Sequence, residues 1–388
     1  MKEQTKPAEP VRPTAPTAPG TTLDLLYSET EEELRSAVRS LLADRCDAPG
    51  VLARIETGRP DDPDLWRTLA AGIGTAGLLV PEKLGGQGAS HREAAVVLEE
   101  LGRAVAPVPY LTSAVLATEI LLGCDPAEAE AGALLRELAS GRQICVPAVP
   151  LTLAPGAPLP PAVRDSGAGA LTGTVTSVAD AVAADVLLVL ADTGLYAVPA
   201  ASATVTAQVP LDLTRPLATV GLDAAAGTRL ADPATARAAI AGALLSGAGL
   251  LASEQLGLAE WCLAETVGYV RGRHQFNRPV GSFQALKHRL AQLWLDVASA
   301  RAAARAAADA LATGAADAPL TVAVAQAYCS GVAVRAAEEC VQLHGGIGMT
   351  WEHPAHLYLK RAKADSLALG TAGHHRALVA DFAELPAP

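Results

Sequence analysis

The hydrophobic period changes twice along this chain, and that change limits the folds open to it. From about Leu23 to Ser140 apolar residues recur at helical spacing. A Thr30-x-x-Glu33 capping box opens the run Leu34, Val38, Leu41 and Leu42. Trp66, Leu69 and Ile73 keep the spacing, the glycines of Pro81–Gly88 form a turn, and a helix is predicted over His91 to Gly102. From about Gln143 to Asp223 prolines cluster and short β-type runs take over. Val186–Leu190 and Leu195–Val198, separated by a Thr193-Gly194 turn, predict a hairpin, with further strands at Thr204–Val209 and Ala218–Leu222. From Asp232 onward the helical period returns. Asp232-Pro233 is an N-cap and first-turn proline for a helix reaching about Arg271, followed by helices over Gln284–Leu311 and Leu320–Leu343. The expected fold is therefore mainly α with a central β domain. The expected parts are a disordered tail (1–21), an N-terminal helical domain (22–141), a middle β domain (142–229) and a C-terminal helical bundle (230–388).

Composition removes several function classes. The net charge is −11 and no long basic run occurs, so nucleic acid is not an expected partner. The cysteines, at 46, 124, 145, 262, 329 and 340, form no CxxC pair and match no zinc spacing. They read as buried free thiols of a reducing compartment, and no metal site is expected. The most apolar stretch, Ile240 to Leu258, is broken by Gly and Ser and carries Glu254, which makes it a poor membrane span. Met1–Thr21 has no apolar signal core, so the expected location is cytoplasmic.

Three segments carry chemistry. The first is Arg273-His274-Gln275-Phe276-Asn277-Arg278-Pro279-Val280-Gly281-Ser282-Phe283-Gln284. The second is Gln342-Leu343-His344-Gly345-Gly346-Ile347-Gly348, and the third is Gly77 to Gly86 with Glu99-Glu100-Leu101-Gly102-Arg103 after it. A guanidinium offers a planar fork to phosphate oxygens, and paired glycines let backbone N–H groups approach a diphosphate. In this order and spacing the segments resemble R-x-Q-F-G-x-P-I-x-x-F-Q, Q-x-x-G-G-x-G and the N-terminal helical region of the acyl-CoA dehydrogenase family. Trp351-Glu352-His353-Pro354-Ala355-His356 is similar to actinobacterial members acting on bulky or degradative acyl-CoA substrates. The resemblance implies a helical domain, a β-barrel-like middle domain and a C-terminal four-helix bundle. It also implies FAD, an acyl-CoA substrate, a dimer of dimers and an electron acceptor such as an electron-transfer flavoprotein. The residues implied to hold FAD are Arg273, Gln275, Phe276, Phe283, Gln284, Gln342, Leu343, Gly345, Gly346 and Thr371. Those of the 273–284 and 342–346 segments reach the cofactor of a neighbouring subunit.

The same resemblance exposes what is missing. The family removes the α-proton of a thioester with a glutamate. One family position for it precedes Gly-Thr near the C-terminus and is Leu369 here; the other, on the long helix before Arg273, is Gly247. Neither can take a proton. Glu254 lies seven residues beyond Gly247, nearly on the same helix face about 10 Å further along, and is the substitute base expected. Glu265, His374 and His375 are weaker candidates. The family's flavin-cradling loop reads Ala148 to Pro155 without its Glu and Ser-Asp, and its aromatic and Thr positions are Ser177 and Ala179. The expected function is FAD-dependent α,β-desaturation of an acyl-CoA. The alternatives are a non-catalytic subunit of a heteromeric acyl-CoA dehydrogenase, or the same fold turned to non-redox acyl-CoA chemistry or binding.

Overall fold

A computed structural model describes residues 25–124, 129–159, 161–167 and 169–385. The expected tail, 1–21, lies outside them. The N-terminal helices are α1 (Glu29–Arg45), α2 (Ala48–Glu56), α3 (Pro63–Arg67), α4 (His91–Ala104), α5 (Thr118–Gly123) and α6 (Ala129–Ala139). Wider π-helical turns occupy Thr68–Ile73 and Tyr110–Ala117, the second of them entirely buried. The capping box of α1 is not Thr30/Glu33 but Ser28/Glu31. Both pairs fit the pattern; the earlier one prevails because Glu31, buried, also binds the Arg92 guanidinium at 2.7 Å.

The strands follow: β1 (Cys145–Pro147), β2 (Val163–Asp165), β3 (Ala170–Ala179), β4 (Val186–Ala191), β5 (Gly194–Pro199), β6 (Thr204–Ala207), β7 (Leu217–Ala226) and β8 (Thr228–Ala231). Their order is β6-β7-β3-β2-β4-β5-β8, with β1 parallel to β4. The hairpin of β4 and β5 turns at Asp192-Thr193, one residue before the expected place, because Ala191 pairs with Gly194. Every residue of β4 is buried, since both its faces are covered. Leu187, Val189 and Ala191 point inward, where they meet Val146, Val163, Val175, Tyr196, Val198 and Val220 from the other strands. One face of the sheet thus wraps around its own interior, barrel-like. The alternate residues Leu188 and Leu190, with Leu195 and Ala197 of β5, pack on the helices.

The C-terminal part holds α7 (Pro233–Gly272), the short hairpin strands β9 (His274–Gln275) and β10 (Arg278–Pro279), and α8 (Gln284–Thr313). It ends with α9 (Ala318–His344), α10 (Ala355–Asp365) and α11 (Ala372–Phe382). Asp232 caps α7 by accepting from Ala234 and Thr235 N–H, as its sequence requires. From Ser246 to Glu260 every residue of α7 is buried, so this helix is the axle of the molecule. By length and composition α7 and α9 could each cross a membrane, yet most of each apolar window is buried inside the fold. The small residues of α7 serve close packing. A Cβ on Gly257 would stand 1.9 Å from the Glu99 carbonyl oxygen of α4, and one on Gly102 of α4 would stand 2.2 Å from the Glu254 carbonyl oxygen. The two helices therefore cross backbone to backbone.

Candidate functional site

The two positions where the sequence lacks a base meet at one point. Gly247 lies mid-way along α7, and Leu369 sits in the turn between α10 and α11, in the left-handed conformation at φ 51°. A Cβ on Gly247 would lie 2.4 Å from Leu116 Cδ2 and 3.2 Å from Leu369 Cδ1. Leu116, from the π-helical segment, and Leu369 are both buried. Where a carboxylate from either position would converge, the chain holds an apolar plug.

The middle-domain loop is sewn onto this plug. Leu369 N–H donates to Leu151 O at 2.8 Å, and Leu151 N–H donates to Ser177 O at 2.9 Å. Ser177 occupies the left-handed region at φ 58°. His374 Nε2 meets Pro155 O at 3.1 Å, and His375 Nε2 meets Leu369 O at 3.0 Å. Gly370 could not carry a side chain, because a Cβ there would be 2.9 Å from Ala154 Cβ. Thr371 spends its hydroxyl on capping α11, accepting from His374 N–H at 3.2 Å. His375 is buried, which lowers its pKa, and each histidine is tied by one ring nitrogen to a carbonyl. Leu151 and Pro155 of the Ala148–Pro155 loop thus bind their own chain.

Glu254 shares the face of α7 that its spacing implied, but it faces two guanidinium groups rather than a cleft. Arg215 Nη2 lies 2.7 Å from both of its oxygens, and Arg361 Nη1 lies 2.6 Å from Oε1. Arg361 also donates to Asp212 and, at 2.7 Å, to Thr214 Oγ1, while Arg215 Nη1 binds Asp365 Oδ1 at 2.6 Å. All these side chains are buried. The cluster ties α7, α10 and the loop before β7 together. Burial opposes ionisation of Glu254, but Arg215 and Arg361 still hold its carboxyl below the usual range. Asp365 carries the opposite shift: burial and the neighbouring Glu254 charge push it up to about 8. Burial likewise raises Asp180, which accepts from Thr112 Oγ1 at 2.7 Å, to about 6. Sequence reading missed Asp212, Arg215, Arg361 and Asp365. The local signals were an Asp-x-Thr-Arg run in a proline-rich loop and an Arg and Asp four residues apart on α10.

The signs of these shifts set a pH dependence. A carboxyl whose folded pKa is raised above its ordinary value favours the folded state less as pH climbs from the ordinary to the raised value. Asp365 therefore weakens the fold between about pH 4 and pH 8, and Asp180 between about pH 4 and pH 6. The chain is expected to melt at a higher temperature at pH 6 than at pH 8.5, and Asp365→Asn is expected to reduce that difference. Thermal melts of both proteins across the range check it; identical slopes would refute the assignment to Asp365.

The third feature is a surface. Tyr269 of α7 stacks on His344 of α9 at 4.3 Å between ring centroids, so the segments leaving the two helices emerge at one end of the bundle. The hairpin of β9 and β10 turns at Phe276 and Asn277, both at positive φ, the two-residue geometry that suits strand twist. Phe276 is 86% exposed. It meets Phe283 edge-on at 6.0 Å, and the Arg278 guanidinium lies over the Phe283 ring at 3.9 Å. Arg273, Gln275, Gln284, Gln342, Gly345 and Gly346 are exposed, while Phe283 and Leu343 are half-buried. Among the described residues the Arg273 guanidinium has no hydrogen bond or ion pair. Gly345 adopts φ +66°, and Cβ atoms on Gly345 and Gly346 would meet nothing within 4 Å. The chain's own packing does not require Gly346 to lack a side chain. Ile347, Met349 and Trp351 are exposed beside these segments. Thr371 does not join them; it belongs to the plug.

A sheet wrapped on itself between two helical bodies, with α7 as a common axle, is the acyl-CoA dehydrogenase fold. The chain belongs to the acyl-CoA dehydrogenase family. The patterns for the family's N-terminal and C-terminal domains match residues 28–142 and 237–383. It is 37% identical over 341 residues to "Acyl-CoA dehydrogenase IpdE2" of Mycobacterium tuberculosis, covering 88% of this chain and 93% of that protein. It is 34% identical to "Acyl-CoA dehydrogenase FadE27" of the same organism, covering 94% of this chain and 100% of that one. Among solved structures, a chain of the ChsE4-ChsE5 complex from Mycobacterium tuberculosis superposes with a TM-score of 0.81 at 30% identity, covering 94% of this chain and 100% of that one. A chain from a variant of the Tcur3481-Tcur3483 steroid ACAD superposes with a TM-score of 0.79 at 28% identity, covering 92% of this chain and 98% of that one.

Proposed function

We propose that this chain is the non-catalytic subunit of a heteromeric acyl-CoA dehydrogenase. The observation that carries the reading is the plug: both places from which the family presents its base converge on Gly247, Leu116 and Leu369. Glu254 does not replace the base, because both of its oxygens are held by arginines and its affinity for a proton is lowered. A general base must reach the proton it takes. We read Glu254 as a structural ion.

The chain's residues fit FAD on one side and not on the other. The loop Ala148–Pro155 bonds to Ser177 and Leu369, and the resemblance's aromatic and Thr positions are Ser177 and Ala179, which supply neither the ring nor the Thr hydroxyl. The segments 273–284 and 342–346 do fit, since an exposed guanidinium, exposed amides and an open glycine pair suit a diphosphate. Arg273 would bind phosphate oxygens, Gln284 and Gln342 would offer amides, and Gly345-Gly346 would let backbone N–H groups approach. FAD, held mainly by a catalytic partner, would accept hydride from an acyl-CoA there. The two-component names of the ChsE4-ChsE5 and Tcur3481-Tcur3483 structures support pairing of two different family chains, and the steroid label of the second suggests a bulky acyl group. Six free, buried cysteines accord with a cytoplasmic setting.

Purified alone, the chain is expected to carry no tightly bound flavin and to turn over no acyl-CoA. Co-expressed with a family member that has a glutamate at either base position, it is expected to form a heteromer with about one FAD per pair of chains. Absorbance at the flavin bands and a dye-reduction assay read both. A chain that alone holds one flavin per subunit and desaturates an acyl-CoA would refute the proposal.

A further inference from the structure

We infer that Glu265, His344 and His353 form a site for one divalent cation of the zinc class at the foot of the Gly345-Gly346 loop. The residues come from three places, α7, the last turn of α9 and the turn before α10, so no sequence spacing announces them. One donor atom of each lies within 4.8 Å of the other two.

His344 is the anchor. Its Nδ1 lies 2.6 Å from the Cys340 carbonyl oxygen, four residues back in the same helix. A carbonyl only accepts, so Nδ1 carries the proton and Nε2 presents a lone pair. That Nε2 is buried and has no hydrogen-bond partner, and the residue is 3% exposed. A buried acceptor left unpaired is costly, and a ring nitrogen whose opposite N–H is held by a backbone carbonyl is the usual arrangement of a metal-binding histidine. Tyr269 stacks on the ring and helps fix its plane.

The other two donors face the same space and are freer to move. The His353 ring lies 4.4 Å from that of His344, tilted by 50°. Glu265 is exposed, and its carboxylate makes no hydrogen bond or ion pair among the described residues. Two imidazoles and a carboxylate are the donor set of many zinc sites, with metal–ligand distances of about 2.0–2.2 Å. The three groups must therefore close in by roughly an ångström. Closure also gives up the contact of Ala355 N–H with His353 Nδ1 at 3.2 Å, because that nitrogen must take the proton when Nε2 binds metal. The site is thus open and adjustable, with a remaining coordination position for water or a ligand oxygen. If the partner-subunit reading holds, the ion would add positive charge beside the loop offered to a diphosphate; the binding test does not depend on that reading.

The full chain, stripped with chelator and held under reducing conditions without flavin, is titrated with Co²⁺ and then with Zn²⁺. Visible Co²⁺ absorption is expected to saturate at about one equivalent and to be displaced by Zn²⁺. His353→Ala and Glu265→Gln, each with an unchanged circular dichroism melt, are expected to weaken binding by about tenfold or more. No saturable uptake would overturn the proposal, as would equal uptake by both variants. An intense near-ultraviolet thiolate band that disappears in Cys340→Ser would also overturn it, because the metal would then sit on the buried thiols.

Discussion

Replacing Arg361 with methionine is expected to destabilise the chain by about 3–5 kcal/mol, the usual result of removing one partner from a buried ion cluster. Arg361 is 2% exposed and binds Asp212, Glu254 and Thr214 at once. Methionine would fill much of the volume but leave those acceptors facing Arg215 alone. The melting temperature should fall by about 4–6 °C for a chain of this length. The loss should be smaller near pH 5, where the uncompensated carboxyls can protonate. The same reasoning separates two roles for Glu254. As a catalytic base, Glu254→Gln would abolish turnover and leave the melt unchanged. As a structural ion, it would lower the melting temperature of the isolated chain. An Arg361→Met protein that melts with the wild type at pH 7.5 would show that the cluster does not hold α7, α10 and the 212–215 loop together.

The reach of the sequence can be judged from these residues. Asp232 was legible as an N-cap because all its partners lie within three residues. The pairing of β4 with β5 was legible for a similar reason: a two-residue turn joins strands that pair with each other. The period of α7 put Gly247 and Glu254 on nearly one face, and that is where they are. Periodicity says which residues share a face but not what lies opposite. Gly247 meets Leu116 and Leu369, whereas Glu254 meets Arg215 and Arg361. The contacts of this ion cluster join residues 39 to 150 positions apart, and nothing in a local window encodes them. The π-helical turn that aims Leu116 had no signal in the apolar spacing either. Exposure was the other hidden quantity. The motif around Arg273 names residue types suited to a diphosphate, and the structure adds that this chain leaves them open at its surface.

That openness gives the second large effect. In a complex with a catalytic family member, Arg273→Ala is expected to weaken flavin retention by about 30- to 4000-fold, while the heteromer still assembles. Truncating one half of a desolvated, charge-assisted pair at an interface costs about 2–5 kcal/mol, and each 1.4 kcal/mol is tenfold. The isolated chain should fold as before, because the Arg273 guanidinium makes no hydrogen bond or ion pair among the described residues. Its backbone N–H capping Tyr269 O at 2.8 Å survives the substitution. Arg273→Lys should recover little, since an ammonium cannot offer the planar fork. Flavin content after gel filtration, read beside heteromer mass, distinguishes the cases. Loss of flavin with assembly intact places Arg273 at the cofactor. Loss of assembly would make the hairpin a protein contact instead, built on Phe276 and its Phe283 neighbour. Full retention would mean that the neighbouring cofactor does not use this surface, and the division of labour between the two chain types would have to be drawn elsewhere.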